Sequence, residues 1–333
     1  MPKPDPLTAL QAENARLIAL LEAHGIEWRL PQPVAATAQG PAPSRLSTAE
    51  KVALFRSRFR GRTDVYPIRW ESKTSGKAGY TPACANEWRA GICEKPRVKC
   101  GNCSNRLLIP LSDAVIYDHL AGKHTVGVYP LLEDDTCHFL AVDFDEAEWR
   151  DDARAFSQSC EELGVPAAME VSRSGNGAHV WVFFANRVSA RDARRLGTAV
   201  ISHACSRTRQ LKLDSYDRLF PNQDTMPKGG FGNLIALPLQ KRPRESGGSV
   251  FVDAELRPYP DQWAFLASIQ PMAAHDIDST ILRATGGVHP LDVNFIDDED
   301  LATPWKRDTK PTKKLAGKMP KITDGDAGQP HLL

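Results

Sequence analysis

The stretch HFLAVDFD at residues 138–145 places two aspartates at the end of a hydrophobic run. Its apolar positions predict a β-strand that is buried in a sheet. Because residues i and i+2 of a strand point to the same face, Asp143 and Asp145 share one face of this sheet. Two adjacent carboxylates repel each other unless a cation lies between them, and Mg²⁺ or Mn²⁺ prefers such oxygen ligands. The alternative is a strand end that enters solvent beside further acids.

The segments that follow alternate between strand and helix patterns. In chain order the patterns predict a helix over 149–163, strands over 168–172 and 179–184, a helix capped by Ser189, and strands over 211–220 and 233–239. Together with the strand that carries the aspartates, this order is β-α-β-β-α-β. It predicts an α+β fold in which a split βαβ sheet carries its helices on one face.

Composition excludes several classes of protein. The chain has 333 residues, of which 41% are hydrophobic and 25% are charged. These values are ordinary for a soluble globular protein and exclude a collagen or a wholly disordered chain. No apolar run approaches the ~18 residues of a membrane-spanning helix, so no membrane partner is expected. The N-terminus shows no signal peptide, and the expected compartment is the cytoplasm.

Positive charge is concentrated before the predicted sheet. The formal net charge is only +1, but residues 51–110 hold 13 Lys/Arg against 4 Asp/Glu. A basic segment beside an acidic remainder favours a surface for a polyanion next to carboxylate chemistry. The alternative is a solvated charged face without a ligand. Apart from one helix near its start, this segment shows no regular pattern, and residues 64–110 are expected to be irregular.

Four of the seven cysteines cluster in the basic segment, namely Cys84, Cys93, Cys100 and Cys103. Because no secretory signal precedes them, they favour a metal site over a disulfide framework. Four thiolates suit tetrahedral Zn²⁺, and the closing CxxC supplies the tight half of such a site. Trp88 and the neighbouring Lys and Arg side chains indicate a nucleic-acid contact as well. The alternative is a purely structural zinc, and the two interpretations are compatible.

The N-terminal residues carry a heptad pattern. Spacing of 3-4-3-4 relates the positions Leu7, Leu10, Asn14, Leu17 and Leu21. One polar position in such a seam is typical of parallel dimers, so a homodimer through this helix is one interpretation. The other is an amphipathic helix docked on its own domain. A linker rich in Pro and Ala follows, and Ser47 to Glu50 form a capping box that begins the next helix.

Two later segments supply candidates for nucleotide binding. SRSGNGAH at residues 172–179 predicts a turn whose N–H groups can hold phosphate oxygens, with His179 at the start of the next strand. The alternative is a tight hairpin with a buried histidine. Residues 216–233 offer a third carboxylate, Asp217 or Asp224, or else form a long surface loop. Two carboxylates on one strand and a third on another are what a two-metal nucleotidyl transferase needs.

These motifs, in this order, resemble the archaeo-eukaryotic primase superfamily. The longer strings GYTPACANEW, GICEKPRVKCGNC, VYPLLEDDTCHFLAVDFD, SRSGNGAHVWVFF and DRLFPNQDTMPKGGFGNLIALPLQ are similar to one branch of it. That branch is the primase-polymerase domain of TOTE conflict systems and of CRISPR-associated primase-polymerases. The resemblance covers roughly residues 47–270 and implies an RRM-like split β-α-β catalytic sheet.

The resemblance also implies roles for individual residues. Asp143 and Asp145 should hold catalytic Mg²⁺ or Mn²⁺, and His179 should contact the triphosphate of the incoming nucleotide. The third acid lies on a following strand, where the candidates in order are Asp217, Asp224 and Asp214. The four clustered cysteines should bind a structural Zn²⁺. Weaker candidates for the nucleotide phosphates are Ser174, Arg173, Lys228, Lys241 and Arg242.

The function implied is a DNA primase-polymerase that transfers nucleotides from NTP or dNTP to a 3′-OH. Its partners would be a single-stranded DNA template and a primer. A helicase domain or subunit is also implied, because TOTE proteins commonly continue into a superfamily 2 helicase and this sequence contains no Walker A motif. Two rivals stay open: a gap-filling repair polymerase that cannot prime, and an inactive zinc-dependent DNA-binding module.

The expected domain organisation has five parts. In order they are an N-terminal helix over 1–26, a linker over 27–46, a basic zinc-knuckle region over 47–110, a primase-polymerase core over 111–270, and a polar C-terminal extension over 271–333. The extension is expected to be a linker or disordered.

Overall fold

The structure, a computed structural model, describes residues 6–24, 44–145, 148–207 and 215–287. Its elements in chain order are α1 Pro6–Ala23, α2 Thr48–Arg58, β1 Pro67–Glu71, β2 Ala78–Pro82, α3 Asp113–Leu120, β3 Gly127–Val128, β4 Thr136–Asp145, α4 Trp149–Glu162, β5 Ala168–Val171, β6 Gly177–Ser189, α5 Ala190–Arg207, β7 Tyr216–Phe220, β8 Ile235–Ala236, α6 Lys241–Glu245, β9 Val250–Val252, α7 Gln262–Ser268 and α8 Asp276–Thr285. The predicted β-α-β-β-α-β order is present as β4, α4, β5, β6, α5 and β7.

Five strands form one sheet in the order β7-β4-β6-β5-β9, and all of its neighbouring strands are antiparallel. The helical connections α4 and α5 bring the first and last strands of the motif, β4 and β7, side by side. The mixed helix and sheet class predicted from the sequence is therefore confirmed. Strand β9, which extends the sheet beyond β5, was not predicted.

Helices α4, α5 and α8 cover one face of this sheet. Their apolar residues pack on Leu140, Val142 and Phe144, the alternate positions of β4 that point away from its two aspartates. The start of α5 follows its sequence signal, because the Ser189 hydroxyl accepts a hydrogen bond from the Asp192 N–H at 3.0 Å. The alternation of the strand thus separates an apolar face from the face that carries the acids.

Helices also cover the other face of the sheet. The sequence patterns did not predict this second layer. Residues from α2, α3 and α7 form a second apolar cluster with Phe139, Trp181 and Phe183. Phe59, which ends α2, packs its ring 5.0 Å from that of Trp181 and 5.4 Å from that of Phe183. The expectation of helices on one face is therefore correct only for the two connecting helices.

The structure adds detail to the predicted organisation of the chain. At the start of residues 47–110, helix α2 packs its apolar side chains into the core beneath the sheet. Within residues 64–110, which were predicted to be irregular, lies the β1–β2 hairpin. At the other end, α8 packs Ile277 and Ile281 against the sheet helices, so the core extends past residue 270. The predicted strand over 233–239 is reduced to β8, which pairs with β3 outside the main sheet.

Helix α1 confirms the helix predicted near the N-terminus. Its Leu17 and Leu20 side chains are 48% and 43% exposed, so the described chain does not bury them. Residues 27–43 of the predicted linker, the third-ranked acid Asp214 and the chain after residue 287 lie outside the described residues. None of the helices in the described ranges is long and apolar enough to cross a membrane.

Candidate active site

A row of polar residues crosses three neighbouring strands on the α2 face of the sheet. Backbone pairing places Glu170 of β5 opposite His179 of β6, and His179 opposite Asp143 of β4. The next row on the same face pairs Trp181 with Ala141 and is apolar. The polar row therefore lies at the edge of an aromatic core, where water has limited access.

Asp143, Asp145 and Asp217 converge at this row from two strands. One carboxylate oxygen from each lies within 4.8 Å of the others, and within the described residues this is the one group of three or more acidic, His or Cys side chains so arranged. The two β4 aspartates face the same side, as their i, i+2 spacing predicts. Asp217 joins them because β7 pairs with β4 at this level.

The carboxylates differ in their exposure to water. Burial raises the pKa of Asp143 to about 6, and repulsion from Asp145 and Asp217 acts in the same direction, although His179 and Arg218 oppose it. The Asp217 side chain is 38% exposed and forms an ion pair with Arg218 at 2.8 Å. A buried carboxylate beside two others is a site at which a divalent cation would remove the repulsion.

His179 links the acids to the interior. Its Nε2 atom lies 3.4 Å from Asp143 Oδ1, and its Nδ1 atom lies 2.9 Å from Glu170 Oε2. Burial alone would lower the pKa of His179, but the charges of Glu170 and Asp143 and the hydrogen bond to Glu170 raise it to about 9. The imidazole is therefore protonated at neutral pH, and both of its ring nitrogens carry a hydrogen.

Glu170 was not identified from the sequence. It is only 1% exposed, and its Oε2 atom accepts hydrogen bonds from His179 Nδ1 at 2.9 Å and from Trp181 Nε1 at 3.0 Å. A buried carboxylate is tolerated only where such partners satisfy it. The available signal was a single acid inside the otherwise apolar strand AMEV, but its partners on β6 could not be read from that strand.

The β5–β6 turn closes the site beside Asp145. The Ser172 N–H donates to Gly177 O at 2.8 Å, and the Ser174 hydroxyl accepts from the Asn176 N–H at 3.2 Å. A Cβ atom on Gly177 would lie 2.4 Å from the Asp145 carboxylate oxygen, so only glycine allows this approach. The predicted turn and the predicted buried histidine are thus both present, and they lie against the acids.

The structure separates the first two of the three ranked candidates for the third acid. Asp217 lies in the acidic cluster. Asp224 lies outside it, in the loop after β7, where its carboxylate accepts a hydrogen bond from Arg194 of α5 at 2.7 Å. Asp214 lies outside the described residues, so the structure compares only the first two.

The weaker candidates for phosphate contacts do not all lie at this site. Arg173 and Ser174 belong to the turn itself. Lys241 and Arg242 lie on α6. This helix is joined to the turn through Gly248, whose N–H donates to Pro243 O of α6 and which also lies close to Arg173 O. Lys228 precedes Gly229, whose carbonyl accepts from Arg106 in the cysteine segment at 3.2 Å. The structure therefore places Lys228 beside the cysteines.

Tyr80 of β2 is a second residue that the sequence patterns missed. Burial raises its pKa, whereas Arg173 lowers it through its charge and through a hydrogen bond to the hydroxyl. The contact joins the β1–β2 hairpin to the β5–β6 turn. Nothing in the string GYTPACANEW indicates it, because the two residues are more than 90 positions apart.

The four clustered cysteines line one cavity beside the hairpin, together with Glu87, Lys95 and Arg106. All seven cysteines lie in the described residues, and none of them forms a disulfide bond. The Leu107 N–H donates to Cys84 Sγ at 3.3 Å, and the Thr81 hydroxyl lies 4.0 Å from Cys100 Sγ. The structure therefore brings the predicted zinc ligands to one place, although their sulfurs are not within the 4.8 Å that groups the three aspartates.

Comparison with known proteins gives one family. A family model described as the archaeo-eukaryotic primase domain of the TOTE conflict system matches residues 50–280. No curated protein matches the chain. Among solved structures, the polymerase domain of Mycobacterium tuberculosis ligase D in complex with DNA is similar, with 13% identity and a TM-score of 0.32. The match covers 72% of this chain and 90% of that domain.

Proposed function

Because the chain belongs to the archaeo-eukaryotic primase family of TOTE conflict systems, we propose that it catalyses template-dependent nucleotidyl transfer. The 3′-OH of a primer, or of a first nucleotide, attacks the α-phosphate of a bound NTP or dNTP, and pyrophosphate leaves. The strands β4 to β7 are then the RRM-like catalytic sheet. The observation that carries the proposal is the convergence of Asp143, Asp145 and Asp217 from two strands.

The acidic cluster fits divalent metal ions. Its donors are carboxylate oxygens, the ligands that Mg²⁺ and Mn²⁺ prefer, and they lie within 4.8 Å of one another. When bound, such ions would activate the attacking hydroxyl and stabilise the charge on the leaving oxygens. The protein itself holds the three carboxylates at fixed positions on paired strands, and it keeps Asp143 largely out of water.

The nucleotide triphosphate would lie between the acids and the β5–β6 turn. The protonated His179 presents its Nε2–H on the Asp143 side, where it can donate to a phosphate oxygen. The turn adds Arg173 and Ser174 within two residues of Ser172, and its close approach to Asp145 depends on Gly177. These residues bind and orient the triphosphate, and the acids then face its α-phosphate.

The cysteine segment fits a structural Zn²⁺. Its four thiols line one cavity, and an N–H donor on Cys84 Sγ is what a thiolate ligand prefers. Cys84, Cys93, Cys100 and Cys103 would hold the ion, which would stabilise a segment with little regular structure of its own. The surrounding Lys and Arg side chains would bind the template.

The closest rival is a polymerase that extends chains but cannot start them. The same acids would serve both activities, so the difference lies in whether two nucleotides can be held without a primer. An inactive DNA-binding module is less consistent with a complete acidic cluster. A homodimer through α1, which exposes Leu17 and Leu20, and a helicase domain or subunit are compatible additions.

An incorporation assay tests the proposal. The full chain is given labelled NTP or dNTP with Mg²⁺ or Mn²⁺, on unprimed single-stranded DNA and on a primed template, and product lengths are measured. We expect extension of the primer, and products on unprimed DNA if the chain primes. Asp143→Asn with Asp145→Asn should abolish both, whereas Asp151→Asn on the surface of α4 should change neither. Incorporation by the double variant at the rate of the unmodified chain would overturn the proposal.

A further inference from the structure

Trp88 is unusually exposed to solvent. Its side chain is 67% exposed, the largest exposure of any large hydrophobic side chain in the described residues. An exposed indole gains nothing from burial in the fold, so its position needs another reason. It lies in the cysteine segment, between Cys84 and Cys93.

The backbone of Trp88 is strained as well. Its φ of 59° lies in the left-handed region, which glycine adopts without cost and a bulky side chain does not. Four other described residues that are not glycine share this conformation: Asp135, Leu239, Ser249 and Leu256. All four are buried or half-buried, so their side chains are held by surrounding contacts. Of these five residues only Trp88 is exposed, so burial of its side chain does not compensate for the strain of its backbone.

A fixed cation lies beneath the ring. Lys95 Nζ is 5.7 Å from the centroid of the Trp88 ring and is held by Glu87 at 2.7 Å and by the Thr81 hydroxyl at 2.6 Å. One face of the indole is therefore supported. A flat, supported aromatic surface that is open on its other side is suited to stacking on a nucleobase.

We propose that Trp88 is a stacking platform for an unpaired base of the single-stranded DNA template. The inference rests on the proposed function and deepens it. The occupant is nucleic acid because residues 51–110 hold 13 Lys/Arg against 4 Asp/Glu, and exposed Arg97 lies close in sequence. Stacking recognises any base, as a template site requires.

The position of the platform indicates the template and not the incoming nucleotide. Thr81, which supports Lys95, follows Tyr80 in β2, and neighbouring residues of a strand point to opposite faces. Tyr80 reaches Arg173 of the site, so Trp88 lies on the far side of the hairpin from it. A base on Trp88 is therefore separated from the acids by the thickness of β2.

Equilibrium binding of a labelled 20-nucleotide single strand tests the proposal by fluorescence anisotropy. Trp88→Ala should weaken binding about tenfold, the loss of one stacked base, whereas Trp88→Phe should retain affinity within about threefold. Because stacking releases no counterions, the salt dependence of binding should keep its slope. Duplex of the same length, whose bases are already stacked, should bind both variants as it binds the unmodified chain.

Tyr117→Ala is the matched control. Tyr117 on α3 is 46% exposed and has Lys123 Nζ at 5.7 Å from its ring, but it lies outside the cysteine segment. It should leave binding unchanged. Trp88→Gly should raise the melting temperature while weakening binding, because it removes the strain.

The outcomes separate this inference from the proposed function. The stacking role is overturned if Trp88→Ala binds as tightly as the unmodified chain, or if Trp88→Gly lowers the melting temperature. Primer extension by the unmodified chain would still support the proposed function in either case. Weaker association with a second protein and unchanged DNA affinity would also overturn it. If the unmodified chain neither binds single strands nor extends primers, both proposals fall.

Discussion

At the scale of the residue, the site depends on polar side chains that are buried and fully partnered. Glu170 and His179 are 1% and 8% exposed, and each has a hydrogen-bonding partner in the interior. The carboxylate accepts from two rigid rings on the neighbouring strand, so it fixes the direction in which His179 Nε2 points. In the proposed reaction Glu170 would act on the nucleotide through His179 without touching substrate or metal itself.

Glu170→Gln tests this positioning role. Glutamine keeps the shape but removes the charge, and it can accept only weakly from two donors at once. We expect the KM for the nucleotide to rise about tenfold, the equivalent of about 1.4 kcal/mol, with a smaller change in kcat. Steady-state kinetics with Glu162→Gln on α4 as control measures both. An unchanged KM with normal folding would show that Glu170 only stabilises the core.

At the scale of the element, the β1–β2 hairpin joins the cysteine segment to the five-stranded sheet. Tyr80 contacts Arg173, while Thr81 accepts from Lys95 and lies beside Cys100. On the other side, Arg106 of the segment lies over the ring of Phe231 at 5.4 Å. The segment is therefore attached to the core at two places, and a change in its own fold would reach the β5–β6 turn, where we propose that the triphosphate binds.

Zinc content tests the role of the cysteine segment. The purified chain should contain about one Zn²⁺ by elemental analysis, since four thiolates fill one tetrahedral site. Cys100→Ser should lose the zinc, because it would remove one of the four proposed ligands. Cys205→Ser, which changes an exposed thiol on α5, should retain it. A chain free of zinc, or equal zinc in both variants, would contradict the assignment.

At the scale of the whole molecule, helices on both faces of the sheet make one core. His119 of α3 is part of it: its Nε2 hydrogen-bonds to Pro238 O at 2.9 Å, and its Nδ1 accepts from the Val126 N–H at 3.3 Å. Complete burial lowers the pKa of His119 to about 4, against which the Pro238 carbonyl acts only partly. The histidine is therefore neutral in the folded chain and holds two segments together.

This predicts a loss of stability in acid. In the unfolded chain His119 protonates near pH 6.5, so its contribution is complete above that pH and is lost as the pH falls towards 4. The loss reaches about 3 kcal/mol near pH 4, since one pKa unit is worth about 1.4 kcal/mol. Urea unfolding from pH 7.5 to 4.5 should show a shallower pH dependence in His119→Gln. An equal pH dependence of the unfolding free energy in both chains would contradict this role of His119.

Much of this fold is encoded in local patterns, and much of the site is not. Periodicity and capping predicted β4 to β7, their helices and the start of α2, because each signal lies within a few adjacent residues. The spacing of Asp143 and Asp145 predicted their common face for the same reason. The partners of Glu170, the contact of Tyr80 with Arg173 and the packing of Phe59 on Trp181 depend on pairings across long stretches of chain, which periodicity does not record.

Substitution of Asp217 and of Asp224 tests whether the cluster of three aspartates is the catalytic centre. The sequence offered both as the third acid, and the structure places only Asp217 with Asp143 and Asp145. Primer extension is measured for Asp217→Asn and Asp224→Asn, which make the same chemical change at positions seven residues apart. We expect a loss of at least about 100-fold, worth about 2.7 kcal/mol, for Asp217→Asn and a change within about threefold for Asp224→Asn. Equal losses, or a greater loss for Asp224→Asn, would contradict it.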